Sequence, residues 1–315
     1  MAFSNSPLKT PVLLIVFNRP DTTKRVFERI RAAQPKHLFV AADGPRNESD
    51  RSKCDAARAI VNEVDWDCEV TTRFLDTNQG CRRGVSSAIN WFFEHVEEGI
   101  VLEDDCLPID DFFRFAEDML TLYRAVDRVM HINGSNFQYG QHRRDGSYYF
   151  SRIPHIWGWA TWRRAWKLYD LEMKDFPSFL SQNQMKSFFS DQRFEKFWMF
   201  FFHRAYRESR TWDYQWVYTI MKHHGLAISP NENLVSNIGF GRNATFTKTK
   251  HPFLSNMDVY PLPPTSHPQV MEVDHAADLF AIQFPFGKIS LGNFVHIWMM
   301  KQRKKRAAAK RTRGK

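Results

Sequence analysis

Four short strand-like runs, three of them apolar and each separated from the next by a stretch of helical spacing, constrain the fold of this chain more than any other feature. Val12-Leu13-Leu14-Ile15-Val16-Phe17 follows Thr10-Pro11 and stops at Asn18-Arg19-Pro20-Asp21. His37-Leu38-Phe39-Val40-Ala41-Ala42 stops at Asp43-Gly44-Pro45, and Cys68 to Phe74 and Gly99 to Leu102 repeat the pattern. Apolar runs such as Val12–Phe17 and Gly99–Leu102 read as strands buried on both faces, and Cys68–Phe74 reads as a further strand. The intervening segments, about Thr22–Ala33, Cys54–Val64 and Val85–Glu94, have helical spacing, the last preceded by a polar loop from Asp76 to Gly84. Strand and helix in strict alternation predict parallel strands joined by right-handed crossovers. The expected fold class is α/β, with a Rossmann-like, mostly parallel central sheet flanked by helices.

The fourth run ends in three consecutive carboxylates, Glu103-Asp104-Asp105. Open α/β sheets bind ligands beyond the carboxyl ends of their strands, so these acids stand where a ligand is expected. Adjacent carboxylates raise one another's pKa unless a cation neutralises them, and oxygen-only donors suit Mg²⁺ or Mn²⁺. The same triplet would equally serve as a solvated turn capping the helix that begins near Asp110.

Absent motifs narrow the choice. No Gly-x-Gly-x-x-Gly follows the first strand and no Gly-Lys-Ser/Thr loop occurs, which argues against dinucleotide and P-loop sites. Cys54, Cys68, Cys81 and Cys106 form no Cys-x-x-Cys pair, so free thiols are expected rather than a zinc or redox centre. With 43% apolar and 15% aromatic residues among 315, the chain has ample material for a core. Its formal charge of +9 is local: residues 301–315 hold nine Lys and Arg and no acid. Without them the 44 basic residues fall to 35, equal to the 35 acidic ones. That tail follows Phe294, Val295, Ile297, Trp298, Met299 and Met300, which read as an amphipathic helix suited to an anionic membrane surface. Nucleic acid would attract the same charge, and a frayed solvated terminus would look no different; a nucleic-acid partner is not expected. With neither a membrane-spanning run nor a signal peptide in view, the expected location is cytoplasmic, peripheral on the inner face of the membrane if it touches one.

The second half opens with a helix over about Asp111–Val126 and a strand near Val129–Asn133, followed by a polar insertion from Gln138 to Ser147. Ile156-Trp157-Gly158-Trp159-Ala160-Thr161-Trp162 gathers three tryptophans, which serve either as core or as a platform for sugars and bases. Phe176 to Glu208 reads as one helix. Thr211-Trp212-Asp213-Tyr214-Gln215-Trp216 opens another that runs to His224, and Asp213, set between tryptophans, is suited both to cap it and to act as a desolvated general base. Asn237 to Thr245, with Gly239, Gly241 and Arg242, reads as a loop able to close over phosphates. The expected organisation is a domain over 8–260, divided into a nucleotide-binding half (8–108) and an acceptor-side half (109–260). A C-terminal extension (261–300) and a disordered tail (301–315) follow.

In order and spacing, these pieces resemble the GT-A-fold glycosyltransferases, in the pattern of N-acetylglucosaminyltransferase I and bacterial family 2-like sugar transferases. The resemblance covers about residues 10–245. It rests on Pro11 through Asn18-Arg19, Asp43-Gly44, Glu103-Asp104-Asp105 with Asp111-Phe112-Phe113, Gly158-Trp159 and Trp212-Asp213. It implies a nucleotide-sugar donor of UDP type, a Mn²⁺ or Mg²⁺ ion on Asp105, and Glu103 and Asp104 at the donor ribose or sugar. Asp43 would meet the base, Arg19 the base or phosphates, and Asp213 would be the catalytic base. Where the family carries a His toward the nucleotide, this chain has Arg82 and Arg83. Trp159 and Arg242 complete the expected donor site. The implied reaction is inverting hexosyl transfer to a glycan or lipid-linked glycan, as in polysaccharide biosynthesis. A nucleotidyltransferase on the same fold and a non-enzymatic polyanion-binding protein acting through the basic tail are the alternatives.

Overall fold

Side chains alternate between the two faces of a strand, and both faces of the first strand are covered. Val12, Leu14 and Val16 join one apolar cluster while Leu13 and Ile15 join another. The computed structural model describes residues 6–182, 191–208, 210–241 and 253–286, together with 299 and 302. In it β1 (Val12–Val16), β2 (His37–Ala42), β3 (Glu69–Phe74) and β4 (Glu98–Glu103) form a parallel half-sheet in the order β3-β2-β1-β4. On one face lie α1 (Pro20–Ala33) and α4 (Asp110–Tyr123), through Val26, Phe27, Ile30 and Phe112; on the other lies α3 (Gly80–His95), through Val85, Ile89 and Phe92. Each such side chain, fully buried, is worth about 1.5–3 kcal/mol. The alternation read from sequence is therefore real, and the fold class is α/β.

The sheet continues through β8 (Trp159–Trp162), β6 (Val129–Asn133), β9 (Leu226–Pro230) and β7 (Tyr148–Ser151), eight strands in all. In this half the pairings mix directions: β8 is antiparallel to β4 and β6, β9 parallel to β6, and β7 antiparallel to β9. A small second sheet pairs β5 (Cys106–Pro108) with β10 (Val235–Asn237). Among the described residues the other named helices are α2 (Glu48–Arg58), extended by a 3₁₀ turn over Ala59–Glu63, α5 (Arg163–Trp166), α6 (Phe176–Ser181), α7 (Gln192–Glu208), α8 (Asp213–Lys222) and α9 (His275–Phe286).

Several boundaries differ from expectation for identifiable reasons. α2 starts earlier because the Asn47 side chain accepts the Asp50 N–H as an N-cap. α3 begins at Gly80, so Arg82 and Arg83 lie in its first turn and not in a loop. Of the single helix expected over Phe176–Glu208, the described residues form α6, which closes in a turn at Gln182, and α7, where Asp191 accepts the Arg193 N–H; residues 183–190 lie outside the described residues. Trp159–Trp162, read as core or platform, is an interior strand. Residues of the expected C-terminal extension bond to β7 and to the residue after it. Asp274 N–H bonds to the Phe150 carbonyl at 2.8 Å, and Asp278 accepts from the Ser151 hydroxyl and the Arg152 N–H. Apart from 299 and 302, residues 287–315, including the basic tail, lie outside the described residues.

Candidate active site

From β1 the chain moves outward to β2 and β3, then returns to the opposite side of β1 as β4. The carboxyl ends of β1 and β4 thus flank a topological switch point, the place where doubly wound sheets leave a crevice. Register puts Ile15 opposite Glu103, so the residues after each strand face one another. Arg19 spans the gap. Its Nη1 donates to Asp105 Oδ2 at 2.8 Å, its Nη2 donates to Asp104 Oδ1, and Asp104 Oδ2 accepts the Phe17 N–H at 3.2 Å. Pro20, with its preset φ and no N–H to lose, starts α1 immediately after Arg19 and fixes where the guanidinium begins.

Pairing of Asn237 with Cys106 draws the segment after β10 over this ion pair, and Ile238 N–H bonds to the Asp105 carbonyl at 2.9 Å. Gly239 is required there for space. A Cβ at that position would stand 2.0 Å from Asp105 Oδ2 and 2.6 Å from Arg19 Nη1.

One guanidinium against three carboxylates leaves this corner negative. Burial, with Asp105 and Asp104 alongside, holds the Glu103 carboxyl well above its ordinary range. Burial raises Asp104 too, against the pull of Arg19. Asp213 lies in the first turn of α8, and burial raises its pKa, partly offset by the Thr211 hydroxyl and the N–H groups at the helix start. Its Oδ1 is buried and has no hydrogen-bond partner among the described residues. A buried carboxylate oxygen left open in this way is costly unless something else completes it. The Cys81 thiol between these acids is pushed far up by burial and stays protonated.

A cavity of about 1060 Å³ joins these groups: Arg19, Asp43, Glu103, Asp104, Asp105 and Asp213 all lie on its wall. Asp43 is there in a different capacity from the expected base contact. Its Oδ1 accepts the N–H groups of Gly44 and Gln79, and its Oδ2 accepts Gly80 N–H and the Asn78 amide. The acceptor positions of a carboxylate number about four, so Asp43 is committed to holding the 76–80 loop and the start of α3. Gly44 permits that closure, since a Cβ would lie 2.4 Å from the Thr77 carbonyl carbon.

Three other expected donor contacts are placed elsewhere. Arg82 is tied to Glu172 and the Leu171 carbonyl, Arg83 is exposed and off the cavity, and Trp159 is fully buried in a stack with His131 and Trp212. The stack explains why Trp159 cannot serve as a platform: both its faces are taken. Trp157, two residues earlier, lines the cavity instead. Arg242 lies outside the described residues. Asn78, Cys81 and Gly239 also line the cavity; the sequence places them in loops without giving Asn78 or Cys81 a role, and they arrive through the start of α3 and the β5–β10 pairing.

No three His, Cys, Asp or Glu side chains among the described residues converge as a metal cage. The donor chemistry fits a cation of another kind, since Mg²⁺ and Mn²⁺ are commonly held by one or two carboxylates together with substrate phosphates and water. Asp105 could supply the protein's share, but its Oδ2 is engaged by Arg19.

No protein-family model matches the chain, and no curated protein matches it. Solved structures align with part of it. A 4-diphosphocytidyl-2C-methyl-D-erythritol synthase from Anaerococcus prevotii is 7% identical, covering 51% of this chain and 75% of the other, with a TM-score of 0.31. A UTP-bound UGPase from Acinetobacter baumannii is 9% identical over 70% of this chain and 85% of the other, with a TM-score of 0.35. An apo UDP-glucose pyrophosphorylase is 10% identical over 50% and 79%, with a TM-score of 0.27.

Proposed function

We propose that the chain is an inverting glycosyltransferase of GT-A type, taking a sugar from a nucleoside-diphosphate donor, with UDP as the expected nucleotide, and placing it on an acceptor hydroxyl. The observation that carries this reading is Asp213: a half-buried carboxylate whose Oδ1 has no hydrogen-bond partner among the described residues, on the same cavity as the acidic triplet at the switch point. Glycosyl transfer passes through an oxocarbenium-like state and needs leaving-group stabilisation on one side and a base on the other. In this proposal the diphosphate lies at the β1–β4 crevice near Arg19, with Glu103 and Asp104 toward the ribose or sugar. Asp213 accepts the acceptor's proton as its oxygen attacks the anomeric carbon. A Mn²⁺ or Mg²⁺ ion shared between Asp105 and the diphosphate would neutralise charge on the leaving group. Direct attack by the acceptor oxygen, with Asp213 as base, implies inversion.

Two measurements test this. Asp213→Asn should keep nucleotide binding, seen as an unchanged thermal shift, while turnover falls by about 10² to 10⁴; near-normal turnover removes Asp213 from the mechanism. Proton NMR of the product should show an inverted anomeric configuration. A nucleotidyltransferase would place a nucleotide in the same crevice but break the bond at the α-phosphate, so release of pyrophosphate from a nucleoside triphosphate would replace the reading.

A further inference from the structure

The wall of the same cavity also has an apolar lobe. Phe137, Trp157, Trp198, Val217, Leu254 and Ile282 line it, contributed by α7, α8, α9 and three connecting segments, and all belong to or pack on the apolar cluster beneath the second half. Interiors leave few voids larger than a water molecule, and a cavity lined by such residues stays dry and accepts apolar guests. At about 1060 Å³ the whole space lies at the upper end of the range of about 300–1,000 Å³ for small-molecule sites, enough for more than a donor alone.

Two polar features stand beside the apolar wall. Trp198 Nε1 is buried without a partner among the described residues, a donor waiting for an oxygen, and Arg210 lines the cavity together with Arg204, which is paired with Glu208 at 3.1 Å, two cations against one acid. Phe200, on the same helix as Trp198, is 62% exposed, and the sequence ends in the cluster of nine basic residues that suits an anionic bilayer.

We infer that this lobe binds the aliphatic chain of an amphiphilic acceptor, so that the acceptor's hydroxyl-bearing head is presented to Asp213. The inference rests on Asp213 being the base of the proposed transfer, yet the lobe can be tested by itself. An anionic link between head and chain is the chemistry the arginines suit, and an isoprenoid or an acyl lipid would each provide it.

The experiment uses the full chain and its own tryptophan fluorescence, since Trp157 and Trp198 stand in the wall. Hexyl, octyl and decyl phosphate are titrated below their micellar concentrations, with phenyl phosphate and citronellyl phosphate alongside. Affinity should rise about fourfold per methylene, the worth of burying one CH₂ group. Ala281→Trp, which fills the lobe, should cost decyl phosphate at least tenfold while leaving the thermal shift produced by UDP unchanged; the chain-length series reads the same property without any variant. Tighter citronellyl than decyl phosphate assigns an isoprenoid, the reverse an acyl chain. Affinity independent of chain length overturns the inference. So does wild-type affinity in an Ala281→Trp protein that still binds UDP, or phenyl phosphate binding as tightly as decyl phosphate. If alkyl phosphates show the chain-length dependence but UDP and UDP-sugars do not bind with or without Mn²⁺, the lobe stands and the donor reading falls.

Discussion

Arg19→Met removes the guanidinium that forks between Asp104 and Asp105 and leaves a similar aliphatic volume in its place. Asp104 is 3% exposed and Asp105 15%, with Arg19 itself at 18%, so the pair is largely shielded from water. Removing one partner of a buried pair strands the other charge, at a typical cost of about 3–5 kcal/mol. For a domain of this size about 2–4 °C of melting temperature follows each kcal/mol, so the variant should melt roughly 10 °C lower at pH 8. The loss should be smaller at pH 5.5, because acids without a counter-charge relieve the strain by protonating; the carboxyls of Glu103 and Asp104 are already raised by burial with Arg19 in place. Arg19→Lys keeps a point charge without the fork and should fall between the two. Adding Asp104→Asn to Arg19→Met should recover part of the loss, with a coupling of about 1–3 kcal/mol by double-mutant cycle. The assay is differential scanning fluorimetry at the two pH values. A variant that melts within 2 °C of wild type at pH 8, or loses as much at pH 5.5, would refute the assignment of Arg19 as the resident counter-charge.

The remaining predictions follow from the same corner and from one remote carboxyl. Asp105→Asn should abolish the dependence of nucleotide binding on Mn²⁺, measured by calorimetry with and without the ion; an unchanged dependence would take Asp105 off the metal. Gly239→Val should push the Asp105–Arg19 pair apart, lowering stability by about 1–3 kcal/mol and weakening UDP binding, because no Cβ fits there; a fully stable variant with normal UDP affinity would show that the loop yields. Asp278, buried on α9, has its pKa raised by burial to about 7 from an ordinary 3.8. The folded state therefore keeps a proton that the unfolded state has lost, and stability falls as pH rises from about 4 to about 7, by up to about 1.4 kcal/mol per unit. Asp278→Asn, neutral throughout, should flatten that slope relative to wild type in urea titrations, and parallel slopes would exclude the carboxyl.

What was legible in the sequence was whatever short-range pattern controls. Continuous apolar runs such as Leu13–Val16 and Ile100–Leu102 can be satisfied only by a sheet covered on both faces, and the clusters on either side of β1 are that covering. The acidic triplet was legible for a related reason: a buried strand must end somewhere, and the residues at its carboxyl end are delivered to the crevice. The antiparallel half of the sheet was not, because Tyr148–Ser151 and Trp159–Trp162 are four-residue strands whose aromatic composition suits a core or a ligand platform equally well. Their identity as strands comes from pairing with partners far along the chain, such as Gly99 opposite Thr161.

The same distinction separates the site residues that reached the cavity from those that did not. Asp104, Asp105 and Arg19 hold their places because β1 and β4 are adjacent, a relation the alternating pattern implies. Asp43 sits at a strand end as well, yet the close approach of Thr77 to Gly44 turns its carboxylate toward the backbone of the next helix and makes it a support for the crevice. Arg82 loses the cavity to Glu172, at 2.8 Å, and Trp159 loses it to the stack that holds its strand in the interior. In each case a residue of the right type is claimed by a partner distant in sequence. Asp213 keeps its place on the cavity wall with one oxygen that no such partner claims among the described residues, which is why the proposed transfer is built on it.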